Sequence, residues 1–296
     1  MGLVLLVALG LVVSASALVE VNTNYHDAVG IPEATRIKET EDAILSGDNP
    51  VNPRIVGGAT APSNQYPYLG GLVISFATTP GNSVCGSSLI SANRLVTAAH
   101  CWFDGRRQAN QFVVVLGSHF LFSGGTRIPT NQVIMHPAWT PSTLENDVAV
   151  IALPTRVFFT NSIRPVNLPF SSLWDSFVGE WAWAAGYGRT SDQQFGVSVN
   201  AAVSHVQLPV ISVSQCQSVF GSVFVRPSTL CTSGFGGIGI CGGDSGGPLV
   251  VNRNGAPTLV IIYIASALFL VSGGETFKRY PVPWERTPGY VGFEPH

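Results

Sequence analysis

Four short runs hold residues that could do chemistry. Cys241-Gly242-Gly243-Asp244-Ser245-Gly246-Gly247-Pro248 sets a serine among glycines. A serine hydroxyl is a poor nucleophile until a base takes its proton. Glycines on both sides let backbone N–H groups approach a reacting carbonyl oxygen with no side chain in the way. Thr97-Ala98-Ala99-His100-Cys101 offers a base: small residues crowd the histidine, and the cysteine after it would hold the segment in place. Taken alone, such a histidine is more often structural. Asp147-Val148-Ala149-Val150-Ile151-Ala152-Leu153 puts a carboxylate at the mouth of a nearly all-apolar strand. A carboxylate buried there without a partner costs several kcal/mol, so Asp147 either caps the strand or orients a histidine. In Arg54-Ile55-Val56-Gly57-Gly58, cleavage after Arg54 would free an Ile55 ammonium ahead of two flexible glycines. By itself that run could be any loop leading into a strand.

The rest of the chain must position these groups. Its 296 residues allow one large domain or two packed halves, and Gly 32 with Pro 20 favours a turn-rich β protein over a helical one. Strand-like runs recur at Ser88–Val96, Phe112–Leu116, Val148–Leu153, Val203–Leu208, Leu249–Val251 and Thr258–Ile264, the last two joined by a turn at Asn252-Arg253-Asn254-Gly255. Charged residues make up 11% of the chain and the net charge is −2, which excludes binding nucleic acid through bulk positive charge. Residues 1–54 carry net −4, whereas residues 55–260 hold nine arginines, no lysine and seven acids, net +2. Arginine keeps its charge where lysine loses it, near pH 10.4, so an alkaline medium suits this surface; composition drift is the plainer alternative.

Residues 3–13 are an apolar run ending at Ser14-Ala15-Ser16-Ala17, which reads as a signal peptide over 1–17 with an A-x-A cleavage site. The run is shorter than the roughly 20 residues a membrane span needs. Secretion permits disulfides. Residues 18–54 are acidic and polar, contain no cysteine and show no sustained strand or helix period. They read as a disordered linker or a pro-segment, and Arg54 favours the pro-segment. No Cys/His metal cluster or phosphate-cradling loop is seen, so neither metal nor cofactor is expected.

With these runs together, the chain resembles the chymotrypsin family of serine endopeptidases, most of all insect digestive chymotrypsins, from Ile55 to about Val260. His100, Asp147 and Ser245 stand in the family's order and spacing. The resemblance implies two antiparallel six-stranded β-barrels with the site in the cleft between them, His100 and Asp147 coming from the first and Ser245 from the second. It implies that Ser245 attacks the scissile carbonyl, that His100 is general base and then general acid, and that Asp147 holds the imidazole tautomer. The N–H groups of Gly243 and Ser245 would form the oxyanion hole. Ile55, once freed, would pair with Asp244, since either charge buried alone is costly. Gly239, six residues before Ser245, matches the floor of the S1 pocket. It carries no charge, so large apolar or aromatic side chains are the expected P1 residues. Cys85–Cys101 and Cys216–Cys231 are the implied disulfides. Cys241 is left without a partner, because no cysteine follows it.

The family pattern stops near residue 260. Where the family has a Ser-Trp-Gly or Ser-Phe-Gly segment that pairs with substrate, this chain has Ile264-Ala265-Ser266, and residues 261–296 read as a divergent, Pro/Gly-rich tail. Two readings stand: a reading-frame change near residue 261, or a divergent protein with a damaged S1 site. The expected partners are protein and peptide substrates, a trypsin-like activating protease and protein protease inhibitors; nucleic acid and membrane are not expected, and the enzyme should be a monomer in the gut lumen. The competing functions are a catalytically impaired homologue that binds or regulates, and a cascade protease. Both are usually built with accessory cysteine-rich modules, which residues 18–54 cannot supply.

Overall fold

A computed structural model describes residues 24–47, 59–170, 172, 175–188, 203–222, 225–234, 239–240 and 242–262. The expected signal peptide, Arg54, Ile55, Cys241 and the tail from residue 263 lie outside the described residues.

The first described element departs from the sequence reading. Residues His26–Gly30 form a π-helical turn that runs directly into helix α1 (Ile31–Ser46). Pro32 sits in its first turn, where a missing N–H is harmless, and Gly47 closes it at φ +78°. The buried positions are Glu33, Ala34, Ile37, Thr40 and Glu41. Their spacing is that of one helix face, but three of the five are polar, which erases the hydrophobic period.

Seven strands form the sheet of the first half: β2 (Leu69–Ser75), β3 (Asn82–Ser91), β4 (Arg94–Thr97), β5 (Gln111–Leu116), β6 (Thr126–Thr130), β7 (Val133–Met135) and β8 (Ala149–Ala152), while β1 (Ala59–Thr60) joins the second half. The order is β6-β5-β2-β3-β4-β8-β7, antiparallel throughout. The two edge strands are consecutive in the chain and separated only by Asn131-Gln132. One run, 126–135, therefore lies along both edges and closes the sheet on itself, so the seven strands are six runs around a barrel. The expected single run Ser88–Val96 is divided into β3 and β4 by a turn at Ala92-Asn93.

Side chains alternate as a barrel requires. Leu72 and Ile74 of β2, Leu89 of β3, Leu95 of β4, Phe112, Val114 and Leu116 of β5 and Ile151 of β8 fill the interior, all fully buried. Leu69, Val73, Val84 and Val115 point the other way, yet they are buried too, because Ala34 and Ile37 of α1 join them with Leu121 and Tyr187.

The second sheet has the order β1-β10-β9-β12-β13, with β11 (Cys231–Thr232) also on β10. Its other strands are β9 (Trp181–Gly186), β10 (Ser204–Ile211), β12 (Pro248–Arg253) and β13 (Ala256–Ile262), with helix α2 (Val213–Phe220) after β10. The β12–β13 hairpin turns at Asn254 and Gly255, both at positive φ, as a tight hairpin demands.

Candidate active site

His100 lies on a single 3-10 turn, Ala99–Cys101, directly after β4, and Asp147 lies two residues ahead of β8. β4 and β8 are neighbours, with Thr97 opposite Ala149. That register brings the two side chains together. One Asp147 carboxylate oxygen accepts the His100 backbone N–H at 2.7 Å, and the other meets Nδ1 at 2.6 Å. Both residues are buried. The carboxylate is acceptor-only, so Nδ1 carries the proton and Nε2 is free to accept one.

Ser245 sits on the loop before β12 and reaches the same place from the second sheet. Its carbonyl accepts the Gly86 N–H of β3 at 2.6 Å. The approach is close: a Cβ on Gly86 would stand 2.7 Å from Gly247 Cα. Glycine at both positions is what lets the halves meet. Gly243 (φ +96°) and Gly246 (φ +82°) bracket the serine in backbone shapes that other residues resist. Asp244 is buried, and its carboxylate accepts the Gly188 N–H at 2.8 Å.

The disulfides Cys85–Cys101 and Cys216–Cys231 are both formed. The first ties β3 to the His100 turn. Gly239 is half-buried, and Ile240 beside it packs against the core.

The Ser245 hydroxyl is fully buried and makes no hydrogen bond, so its link to His100 is not formed. His100 Nε2 meets Cys101 Sγ at 3.8 Å. A residue absent from the sequence reading occupies this space. The Tyr25 ring packs edge-on against the His100 imidazole, with centroids 4.5 Å apart. Its hydroxyl donates to the Val84 carbonyl at 2.9 Å and faces Ser245 and the Gly243 amide, outside hydrogen-bond geometry to the serine. Burial pushes this phenol well above the usual tyrosine range. A Cβ on Gly242 would stand 2.9 Å from Val29, and one on Gly243 3.8 Å from Glu33 Cβ, so Val29 and Glu33 cover the loop ahead of Ser245.

Further contacts seat this segment. The His26 N–H donates to Asp104 at 2.9 Å, and its Nδ1 meets the Ser83 hydroxyl at 2.9 Å. Burial lowers the His26 pKa to about 4. Asp27 pairs with Arg107. At the far end, the Glu41 carboxylate accepts the N–H groups of Leu121 and Phe122, and burial raises its pKa. The signals that could have found this segment were Pro32 and Gly47, which mark the start and stop of a helix.

The trypsin family pattern matches residues 55–275, fifteen residues beyond Val260. The mouse Serine protease 56 is 31% identical over 80% of the chain, although the chain spans only 40% of that relative's length. Brachyurin of Leptuca pugilator is 34% identical, with 79% of this chain and 97% of brachyurin covered. The solved structure of HL collagenase superposes with a TM-score of 0.65 at 29% identity, covering 80% of this chain and 93% of that one. The chain belongs to the trypsin family of serine proteases, with the chymotrypsin-like all-β fold. Among the described residues no helix is long and apolar enough to cross a membrane.

Proposed function

We propose that the chain is a secreted zymogen which, cut after Arg54, hydrolyses peptide bonds following large apolar or aromatic residues, in the digestive lumen. The observation that carries this reading is the buried His100–Asp147 pair, held by two hydrogen bonds on one side of a cleft whose other side presents Ser245.

Ser245 Oγ attacks the scissile carbonyl while His100 Nε2 takes its proton. Asp147 holds the Nδ1–H tautomer and stabilises the imidazolium that forms. The developing oxyanion receives the N–H groups of Gly243 and Ser245; each such donor is worth about 2.7–4 kcal/mol of barrier. His100 then returns the proton to the leaving amine, and water repeats the sequence on the acyl-enzyme. Cleavage after Arg54 frees the Ile55 ammonium to pair with buried Asp244, the charge that shapes the oxyanion loop. The signal-like residues 1–17 support export, and the lysine-free stretch 55–260 supports an alkaline medium.

The test is the full chain cut with a trypsin-like protease and assayed on a chromogenic peptide with Phe at P1. Hydrolysis should appear on cutting and vanish in Ser245→Ala. Equal hydrolysis by that variant would sink the assignment, and preference for Arg at P1 would sink the substrate class.

A further inference from the structure

We propose that residues 24–46 are an inhibitor of the chain's own catalytic centre, one that stays seated after the cut at Arg54 and must leave before turnover begins. The proposal rests on reading Ser245 as nucleophile and Arg54 as the activation site. It adds a second lock to the first.

The segment has a plug and an anchor. The plug is Tyr25, whose ring lies against His100 and whose hydroxyl faces Ser245 and the Gly243 amide. A substrate carbonyl must reach those same three groups. Val29 and Glu33 close over Gly242 and Gly243, on the loop whose amides would hold the oxyanion. The anchor is on the outer face of the first barrel: Ala34 and Ile37 complete an apolar cluster with Val84 and Val115, and Glu41 holds two backbone amides. Burial of this kind does not depend on the peptide bond after Arg54.

Two features make the segment an inhibitor and not a substrate. Proteins read a peptide in an extended cleft by adding it as a strand, through its free backbone amides. Residues 26–46 are helical, so their amides are taken up by the helix, and that of His26, at its start, by Asp104. A side chain, not a peptide carbonyl, is what Ser245 meets. Residues 1–54 also contain no cysteine, so after the cut only these contacts retain the fragment. Release is then a matter of dilution or further proteolysis, and Lys38 lies exposed on α1, between Ile37 and Glu41 of the anchor.

The test follows cutting by intact mass and hydrolysis of the Phe substrate together, in wild type, Tyr25→Ala and Gly30→Leu. Gly30 packs so tightly on Ser83 that an added Cβ would sit 1.9 Å from its hydroxyl. Leucine there should unseat the segment without touching His100, Asp147 or Ser245. Wild-type activity should lag behind cutting and rise on dilution, whereas both variants should gain activity in step with it. A synthetic peptide of residues 24–47 should inhibit the activated enzyme competitively, and its Tyr25→Ala form should do so at least about tenfold more weakly. Activity in step with cutting in wild type, or no inhibition at about 100 µM peptide, would overturn the proposal. If no cut protein hydrolyses the substrate, the enzyme reading fails, and the inhibitor is judged by binding. In cut Ser245→Ala, the fragment travelling with the body on gel filtration supports the seat, and its elution as free peptide overturns it.

Discussion

Gly246→Ala puts the contact between the two halves to a quantitative test. Gly246 has φ +82°, and a Cβ there would stand 2.2 Å from Thr97 Oγ1 and 2.6 Å from the Gly86 carbonyl. The left-handed backbone costs an L-residue about 1–2 kcal/mol. Thr97 donates to that same carbonyl at 2.8 Å, and the methyl must displace it, losing a buried hydrogen bond worth about 1 kcal/mol. The carbonyl is backbone and cannot rotate away, so overpacking adds about 1–3 kcal/mol. The total, about 3–6 kcal/mol, is a large part of a domain's usual margin of about 5–15 kcal/mol. Gly255→Ala is the control: its φ is +79°, with nothing within 4 Å of the added carbon, so it carries the backbone cost alone. Urea unfolding of the two full-length variants should separate them by about 2–4 kcal/mol. Ser245 adjoins the strained site, and a shift of about 1 Å in a catalytic group costs about a hundredfold in rate, so kcat of activated Gly246→Ala should fall by about that factor. Equal stability of the two variants would refute the reasoning.

Three further outcomes are expected. His26 has its pKa depressed by burial, from 6.5 to about 4, so the fold holds it neutral; the stability it contributes is present above pH 6.5 and is lost as pH falls towards 4. The melting temperature of the uncut chain should drop more over that window than that of His26→Gln, and parallel curves would contradict it. Replacing Cys216 and Cys231 by alanine opens a loop with a sequence separation of 15 and should lower the unfolding free energy in urea by about 3 kcal/mol. Gly239→Asp should move the preferred P1 residue from Phe towards Arg, read as the ratio of kcat/KM for two chromogenic peptides; an unchanged ratio would remove Gly239 from the S1 floor.

The parts of the site that were legible share one property. The Ser245 loop and the His100 turn are local sequence signatures, because backbone shape demands glycines and small residues within a few positions, whereas Asp147 stands out as a lone acid at the mouth of an apolar strand, its partner His100 lying 47 positions away. The strands were legible where β-branched apolar residues run together, as in Phe112–Leu116. What failed was the segment before Ile55. α1 covers a barrel face with Glu33, Thr40 and Glu41 as well as Ala34 and Ile37; its polar groups are satisfied by partners such as the Leu121 and Phe122 amides, about 80 residues away. Such pairings leave no period in the sequence. The Tyr25–His100 contact spans 75 positions and is invisible for the same reason.

The single run that lies along both edges of the first barrel has a further consequence. A sheet with open edges offers unpaired amides on which another chain can build. With 126–135 supplying both edges, its first part on β5 and its last on β8, a neighbouring copy meets one short seam in place of two separate edge strands.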